Sequence, residues 1–555
     1  MSYFPPLSLL KAQTCIRTLA CHMVLLVAHA TVASAQSPAA MPDFAALEAA
    51  GATIGRIRIN AQNIFDLEDP EENNALYRLA NRLHFSTRPE VIAKVLLFKS
   101  GERVSVQKID ETERLLRASA IRYEVQIKPV AYHGGVVDIE VATRDSWTLD
   151  LTANYSRSGG NNKTAFGLKE KNLFGTGMSI GFSRTSDIDR TGTQMAVSYD
   201  QAFDGWTNVD FERGRFNDGN RTSLIIDRPF YSLDTRFAGR TSFLDEDRID
   251  SIYNAGNIVS EYRHRLKYGE VAAGWSPGLA NGWTQRFSGG ALMQDNEYQI
   301  EPGRTAPTLL PITNDVRGLF LRYQILQDSF LKTKNHNLIE RTEYFQLGFN
   351  GRVQLSRTME SMGSSRAEWL FSVAVNDGYA LSPTQKLLAG ATLERRIAST
   401  GMPMIQGGTA LKYYSQQTTH SLWYAALSVD RVRGGGIADQ LLIGGSAGLR
   451  GYPSRYQAGD QRVVVSLEKR VYSTWYPYRL LRIGGAVFAD VGRAWGGLNQ
   501  NLDNGGWLTD VGVGLRIALD RAAFANVLHV DIAAPLNRAA DVKPIQFLVK
   551  TEFSF

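Results

Sequence analysis

The chain has 555 residues, more than one ordinary domain holds, so at least two units are expected. Its net charge of +6 is mild for that length and no Lys/Arg block stands out, which excludes a basic nucleic-acid-binding surface. Past residue 35 no stretch approaches about 18 apolar residues, which excludes transmembrane helices.

Residues 1–35 carry Lys11 and Arg17 and no acid, then an apolar run from Leu19 to Val32 broken by Cys21, His22 and His29. They end in Ala33-Ser34-Ala35, the small-x-small pattern of a signal peptidase site. The run is shorter than the ~20 apolar residues a span needs, so 1–35 reads as a cleavable secretory signal, with a signal anchor as the alternative. Its removal takes away Cys15 and Cys21, the only two cysteines, and lowers the net charge to +4. Disulfides, thiolate metal sites and cysteine catalysis are then excluded together. Residues 36–52 read as a linker.

Residues 53–146 read as a small α+β module. Ile54, Ile57 and Ile59 mark a first strand with imperfect alternation, and an acid-rich stretch from Asp66 to Asn74 precedes a helical segment around Leu76–Leu83. Ser86 or Thr87 before Pro89 predicts a helix start, with Glu90 near the positive helix end. A second helix, about Gln107–Ser119, sets Ile109, Leu115 and Leu116 on one stripe. Tyr123, Val125 and Ile127 alternate, as do Val137, Ile139 and Val141, around a His133-Gly134-Gly135 turn. This β-α-α-β-β order, with the run from Arg88 to Ser119 and its Phe98-Lys99-Ser100-Gly101-Glu102 connector, resembles a POTRA domain. The bland alternative is an unrelated periplasmic plug or linker domain.

From Trp147 to Phe555 short alternating segments are separated by Gly, Asn and Asp turns, and all nine tryptophans lie here. Confinement of tryptophan to one part of the chain suits a barrel with aromatic girdles at two membrane interfaces. In the last segment Ile545, Phe547, Val549, Thr551, Phe553 and Phe555 share one face, while Gln546, Lys550, Glu552 and Ser554 share the other. The same period of two sets Val463, Val465 and Leu467 against Ser466, Glu468 and Arg470. It also sets Val511, Val513, Leu515 and Ile517 against Gly512, Gly514 and Arg516. Apolar-out and polar-in is what strands between lipid and a wet lumen require, and backbone in lipid must be fully paired. The fold class expected is an all-β transmembrane barrel in the outer membrane, behind the small α+β periplasmic domain.

Leu441–Arg462 is Gly-rich, polar and too long for a tight turn, and within it stands Leu449-Arg450-Gly451-Tyr452. This resembles the [VIL]-R-G-[FY] motif of the BamA/TamA/two-partner-secretion superfamily, the bacterial surface-antigen barrels. Phe488-Ala489-Asp490-Val491-Gly492 resembles that family's F-x-D-x-G strand, and Gly512-Val513-Gly514-Leu515-Arg516 its G-x-G-L-R strand. Asn172-Leu173-Phe174-Gly175-Thr176-Gly177 resembles its first periplasmic turn, and Phe553 and Phe555 supply an aromatic C-terminus. The resemblance implies sixteen antiparallel strands, and residues 147–555 would give about 26 residues per strand and connection. It implies that the Arg450 loop is the sixth extracellular one, folded into the lumen so that Arg450 pairs with acids on the wall. Glu468, with inward parity, and Asp490 are the matching acids. Gly451 would let the loop turn sharply.

Gly444-Gly445-Ser446-Ala447-Gly448 satisfies the hydrolase elbow pattern, but no strand-to-helix turn is expected there, so Ser446 is not read as catalytic. His529 and Asp531 share a lumenal face without a third metal ligand. No enzyme activity, metal or cofactor is expected. The family assembles outer-membrane proteins or exports polypeptides, so the expected partners are membrane lipids, an unfolded outer-membrane or secreted client, and periplasmic accessory proteins. The client would pair with a sheet edge near Tyr123–Lys128, and the first strand (about Thr148–Arg157) would meet the last as a lateral gate. Two rivals stand beside this reading: a passive porin or solute channel, and a structural surface protein. A single POTRA-like unit also departs from the plug helix and two POTRA domains of two-partner secretion transporters and from the three POTRA domains of TamA-like factors.

Overall fold

The computed structural model describes residues 41–552, apart from 159, 399–402, 498–505, 524–526 and 541. The signal-like segment and both terminal phenylalanines, Phe553 and Phe555, lie outside the described residues.

The N-terminal unit begins inside the stretch read as linker. α1 (Phe44–Ala49) forms because Asp43 accepts Ala46 N–H at 2.8 Å, and it buries Leu47 to 1% exposure. The central strand of a three-stranded sheet, β3 (Val136–Asp145), pairs in parallel with β1 (Thr53–Gln62) and antiparallel with β2 (Arg122–His133). The broken alternation of Ile54, Ile57 and Ile59 is a register shift in that parallel pairing. Between β1 and β2 run α2 (Ala75–Leu83), α3 (Pro89–Ala93) and α4 (Val106–Ala118). α4 turns Ile109 and Leu116 onto the sheet, where they meet Ile54, Val125, Val137, Ile139 and Val141. The β2–β3 turn needs positive φ twice, and Gly134 (56°) and Gly135 (79°) supply it.

One expectation fails at α3. Neither Ser86 nor Thr87 caps it; Arg88 holds the cap position with no side-chain bond. Thr87 is committed elsewhere, donating N–H (2.6 Å) and Oγ1–H (2.8 Å) to the buried Asp145 carboxylate.

Among the described residues, twenty strands form one antiparallel sheet in sequential order, from Leu149–Ser158 to Gln546–Glu552. The sheet curls round on itself, the twentieth strand pairing with the first at Val549 opposite Arg157. The expected sixteen is therefore corrected to twenty. The chain finds room because several connections are two-residue turns, as between Phe216 and Gly219, Ala280 and Trp283, and Thr418 and Ser421. Outward residues such as Leu151 (73% exposed), Val487 (60%) and Val513 (55%) alternate with buried inward ones such as Glu468, Asp490 and Arg516.

The N-terminal unit sits at the end where the first strand begins. On that side Asn172, after the second strand, donates Nδ2–H to Thr87 Oγ1 at 2.9 Å, and Gly175 O accepts Arg88 N–H at 3.0 Å. A side chain at Gly175 would meet Ser86 O at 2.3 Å, so the Asn172–Gly177 turn is shaped as a seat for the unit. The Arg450 loop opens at the far side, between strand fifteen (Ser421–Arg433) and strand sixteen (Gln461–Tyr472). It is thus the eighth far-side connection, not the sixth. Five strands follow it in the chain, as five would follow a sixth loop in a sixteen-strand barrel, so the four additional strands all precede it.

Candidate functional site: a caged arginine in the lumen

The Arg450 loop turns back into the barrel. Leu441–Ile443 pairs antiparallel with Gln457–Gly459, and between them Ile443, Leu449 and Tyr452, each fully buried, pack with Ala494, Leu508 and Val542. Leu449 takes φ 67°, a conformation costly for a branched side chain, held here by that apolar seat. Tyr452 Oη donates to Asn537 Oδ1 at 2.6 Å.

That seat delivers Arg450 to the wall with a side chain 6% exposed. Its Nε and Nη2 donate to the two oxygens of Asp490, at 2.7 and 2.8 Å, the planar fork geometry a carboxylate matches. Nη1 donates to Glu468 Oε1 at 2.6 Å and to Asp531 Oδ2 at 3.4 Å, and Nη2 to Ser466 Oγ at 3.2 Å. The guanidinium lies over the Phe488 ring, 3.3 Å from its centroid. Burial opposes the charge, but the three carboxylates outweigh it and raise the Arg450 pKa above the ordinary arginine value. Arg470 pairs with the other oxygen of Glu468 at 2.7 Å, and Arg516 pairs with Asp531. Three arginines thus face these three carboxylates, and a fourth buried carboxylate, Asp510, lies opposite Asp490 on the next strand.

The motif resemblance marked Arg450 and Asp490 and inward parity marked Glu468, and the structure sets these beside Phe488, Gly492, Gly512, Gly514 and Arg516. The glycines leave room. A Cβ at Gly512 would meet the Phe488 ring at 2.3 Å, and one at Gly514 would meet Asp531 Oδ1 at 1.8 Å. Gly451 is corrected in its role: its φ is not in the left-handed region, and it is needed because a Cβ would meet Asp510 at 2.6 Å and Pro535 N at 3.0 Å. Asp510 accepts its N–H at 3.0 Å. Sequence reasoning missed Ser466, Arg470, Asp510 and the role of Asp531. Inward parity marked Ser466, Arg470 and Asp531 as lumenal, but only the register, which sets Asp531 opposite Gly514, shows which of them meet. Ser446 lies exposed on a three-residue turn with no helix behind it.

A second element enters from the opposite mouth. The connection between strands ten and eleven folds as a hairpin, Phe330–Lys334 paired with Thr342–Gln346. Leu338, Ile339 and Phe345 pack on Tyr414, Leu422, Tyr472, Ala518 and Val527 of the wall. Its tip is fixed by polar bonds: His336 O accepts Arg470 Nη1–H at 3.0 Å and Tyr472 Oη–H at 3.2 Å. His336 Nδ1–H donates to Lys334 O at 2.8 Å, leaving Nε2 to accept from Lys386 at 3.2 Å. Glu343 accepts the backbone N–H of His336 at 2.9 Å and of Asn337 at 3.0 Å. Burial pushes the Glu343 carboxyl up to about 7, although those N–H groups favour its charge. Burial pushes His336 down to about 4. At its base the hairpin touches the N-terminal unit: Lys332 pairs with Glu113 at 2.7 Å, and Arg114 stacks on Phe330 at 3.6 Å. Arg470 bonds both the hairpin and Glu468, so a chain of contacts joins the N-terminal unit, the hairpin and the caged arginine. No sequence motif announced this hairpin.

At the far mouth the loop is clamped again. Arg455 pairs with both oxygens of Asp189, at 2.6 and 2.7 Å, and stacks on Tyr253 at 4.2 Å, near the tip of the seventh-to-eighth-strand hairpin.

No family model matches the chain, and no curated relative matches it. Among solved structures it is similar to CdiB from Escherichia coli, at 10% identity and TM-score 0.47, over 90% of this chain and 76% of that one. It is also similar to CdiB from Acinetobacter baumannii, at 13% identity and TM-score 0.41, over 89% and 73%. BamA from Haemophilus ducreyi lacking POTRA domains 1–3 matches at 12% identity and TM-score 0.36, over 90% and 84%. At these identities and scores the likeness fixes neither family nor function.

Proposed function

We propose that the protein is an outer-membrane barrel that inserts or exports polypeptides, with the Arg450 loop as a lumenal latch and the N-terminal unit as the periplasmic, POTRA-like receiving domain. The observation that carries this reading is the caged guanidinium of Arg450, at a loop tip bonded to three carboxylates from three different strands. Burying such a cluster stabilises less than it specifies one arrangement, and that suits a part that must hold one state and be releasable. A porin needs an open lumen and neither a caged loop nor a wall-packed hairpin.

Client capture at Tyr123–Lys128 is physically disfavoured. β2 is an edge strand, but Arg122 O already accepts from Arg341 and Val125 O from Arg117. Pro129 interrupts the strand beside a register shift, as guarded edges do. Client contact is therefore assigned to the N-terminal unit as a whole, and the meeting of first and last strands remains the proposed gate.

Depletion of the protein should lower at least one other outer-membrane or secreted protein, read by quantitative envelope proteomics. An unchanged envelope proteome together with reduced small-solute uptake would transfer the reading to a solute channel.

A further inference from the structure

α2 carries three unlike faces. Tyr77 and Ala80 turn inward with Phe65, Trp147 and Leu480, so the helix is anchored beside the start of the barrel. Leu76, Leu79 and Leu83, spaced three and four apart, share a neighbouring face and are 63%, 48% and 62% exposed. Arg78 and Arg82 lie on the opposite flank and are exposed. Beyond the helix end Phe85, also exposed, meets the exposed Phe174 ring edge-on at 5.4 Å. Phe174 stands at the turn between the second and third barrel strands, whose outward side chains include the exposed Phe166, Leu168 and Phe182. The apolar outer band of the barrel therefore continues through Phe174 and Phe85 onto the leucine face of a helix.

We propose that α2, Phe85 and Phe174 form a lipid-binding patch that lies in the headgroup region of the adjoining leaflet, with anionic phospholipid as the partner. The leucines and rings enter the acyl boundary, and Arg78 and Arg82 pair with phosphate, as in interfacial amphipathic helices. A protein occupant fits less well. The face is a convex stripe, whereas peptide recognition uses a groove or a free strand edge. It would pin the N-terminal unit against the membrane beside the first barrel strands. The inference rests on the membrane setting of the barrel and is independent of any client.

The test uses the full chain with Cys15 and Cys21 changed to Ser, carrying one labelled cysteine at a time: Leu79→Cys, Leu83→Cys, Arg82→Cys, and Phe166→Cys as a barrel control. Each is reconstituted in bilayers of phosphatidylglycerol and phosphatidylethanolamine containing lipid spin-labelled on the upper acyl chain, just below the headgroups. The fluorophores at Leu79 and Leu83 should be quenched at least about twofold more than that at Arg82. Quenching at Phe166 without it at Leu79 and Leu83 overturns the patch, whereas loss of quenching at Phe166 overturns the membrane reading of the barrel itself. Shielding of Leu79 only after an unfolded polypeptide is added also overturns the patch and assigns the face to protein. Replacing phosphatidylglycerol by a neutral lipid should weaken quenching at Leu79, and Arg78→Gln/Arg82→Gln should abolish that dependence. Indifference to lipid charge would overturn the arginine contribution.

Discussion

At the residue scale the cage around Arg450 makes its own removal expensive. Arg450→Ala leaves Glu468, Asp490 and Asp531 facing only Arg470 and Arg516, and stranding one buried carboxylate costs roughly 3–5 kcal/mol. Arg450→Lys keeps the charge but cannot reproduce the two-point bond to Asp490. Both variants should still give heat-modifiable barrel mobility on a gel, because the strands pair through backbone. Both should release the loop to proteolysis and impair activity, Ala more than Lys. Full activity in Arg450→Ala would remove the latch from the account.

At the element scale the Phe330–Gln346 hairpin carries two buried groups with opposed pH dependence. Glu343, raised from 4.5 to about 7, favours the seated hairpin below its unfolded value and loses that contribution as pH rises through about 7. His336, lowered from 6.5 to about 4, contributes above its unfolded value and loses that contribution as pH falls through about 4. The slopes oppose one another between 4.5 and 6.5, so amide protection of the hairpin should change little there. Glu343→Gln leaves only the histidine slope, and protection should then climb with pH across the same window. Hydrogen exchange measures both; an equally steep climb in the wild type would refute the opposition.

At the scale of the whole molecule the strand number sets the problem that the loop and hairpin solve. Barrels of about 16–18 strands leave an aqueous channel and those of about 22 are plugged, so twenty strands enclose an open pore unless something fills it. Here the Arg450 loop enters from one mouth and the hairpin from the other, and they meet through Arg470. The intact protein should show low conductance in planar bilayers. Replacing residues 331–345 with a short Gly/Ser linker should raise conductance several-fold, and adding Arg450→Ala should raise it further. High steady conductance in the wild type would contradict a filled lumen.

The sequence by itself determined what depends on short-range pattern. Period-two alternation from Trp147 onward gave inward and outward faces, because a strand's side chains must alternate whatever lies beside it. That parity at Glu468, with Arg450 and Asp490 in their motifs, was enough to bring three of the cage residues into view. Local spacing also predicted a helix at Gln107–Ser119, found at Val106–Ala118. What only the tertiary structure decided depends on register and closure. Twenty strands in place of sixteen, Asp531 in the cage, the seated hairpin and the guarded β2 edge all follow from which strand lies opposite which. Inter-strand hydrogen bonds join backbone groups that every residue carries, so side-chain pattern constrains their partners only weakly, and the count and contents of a barrel are settled when the sheet closes.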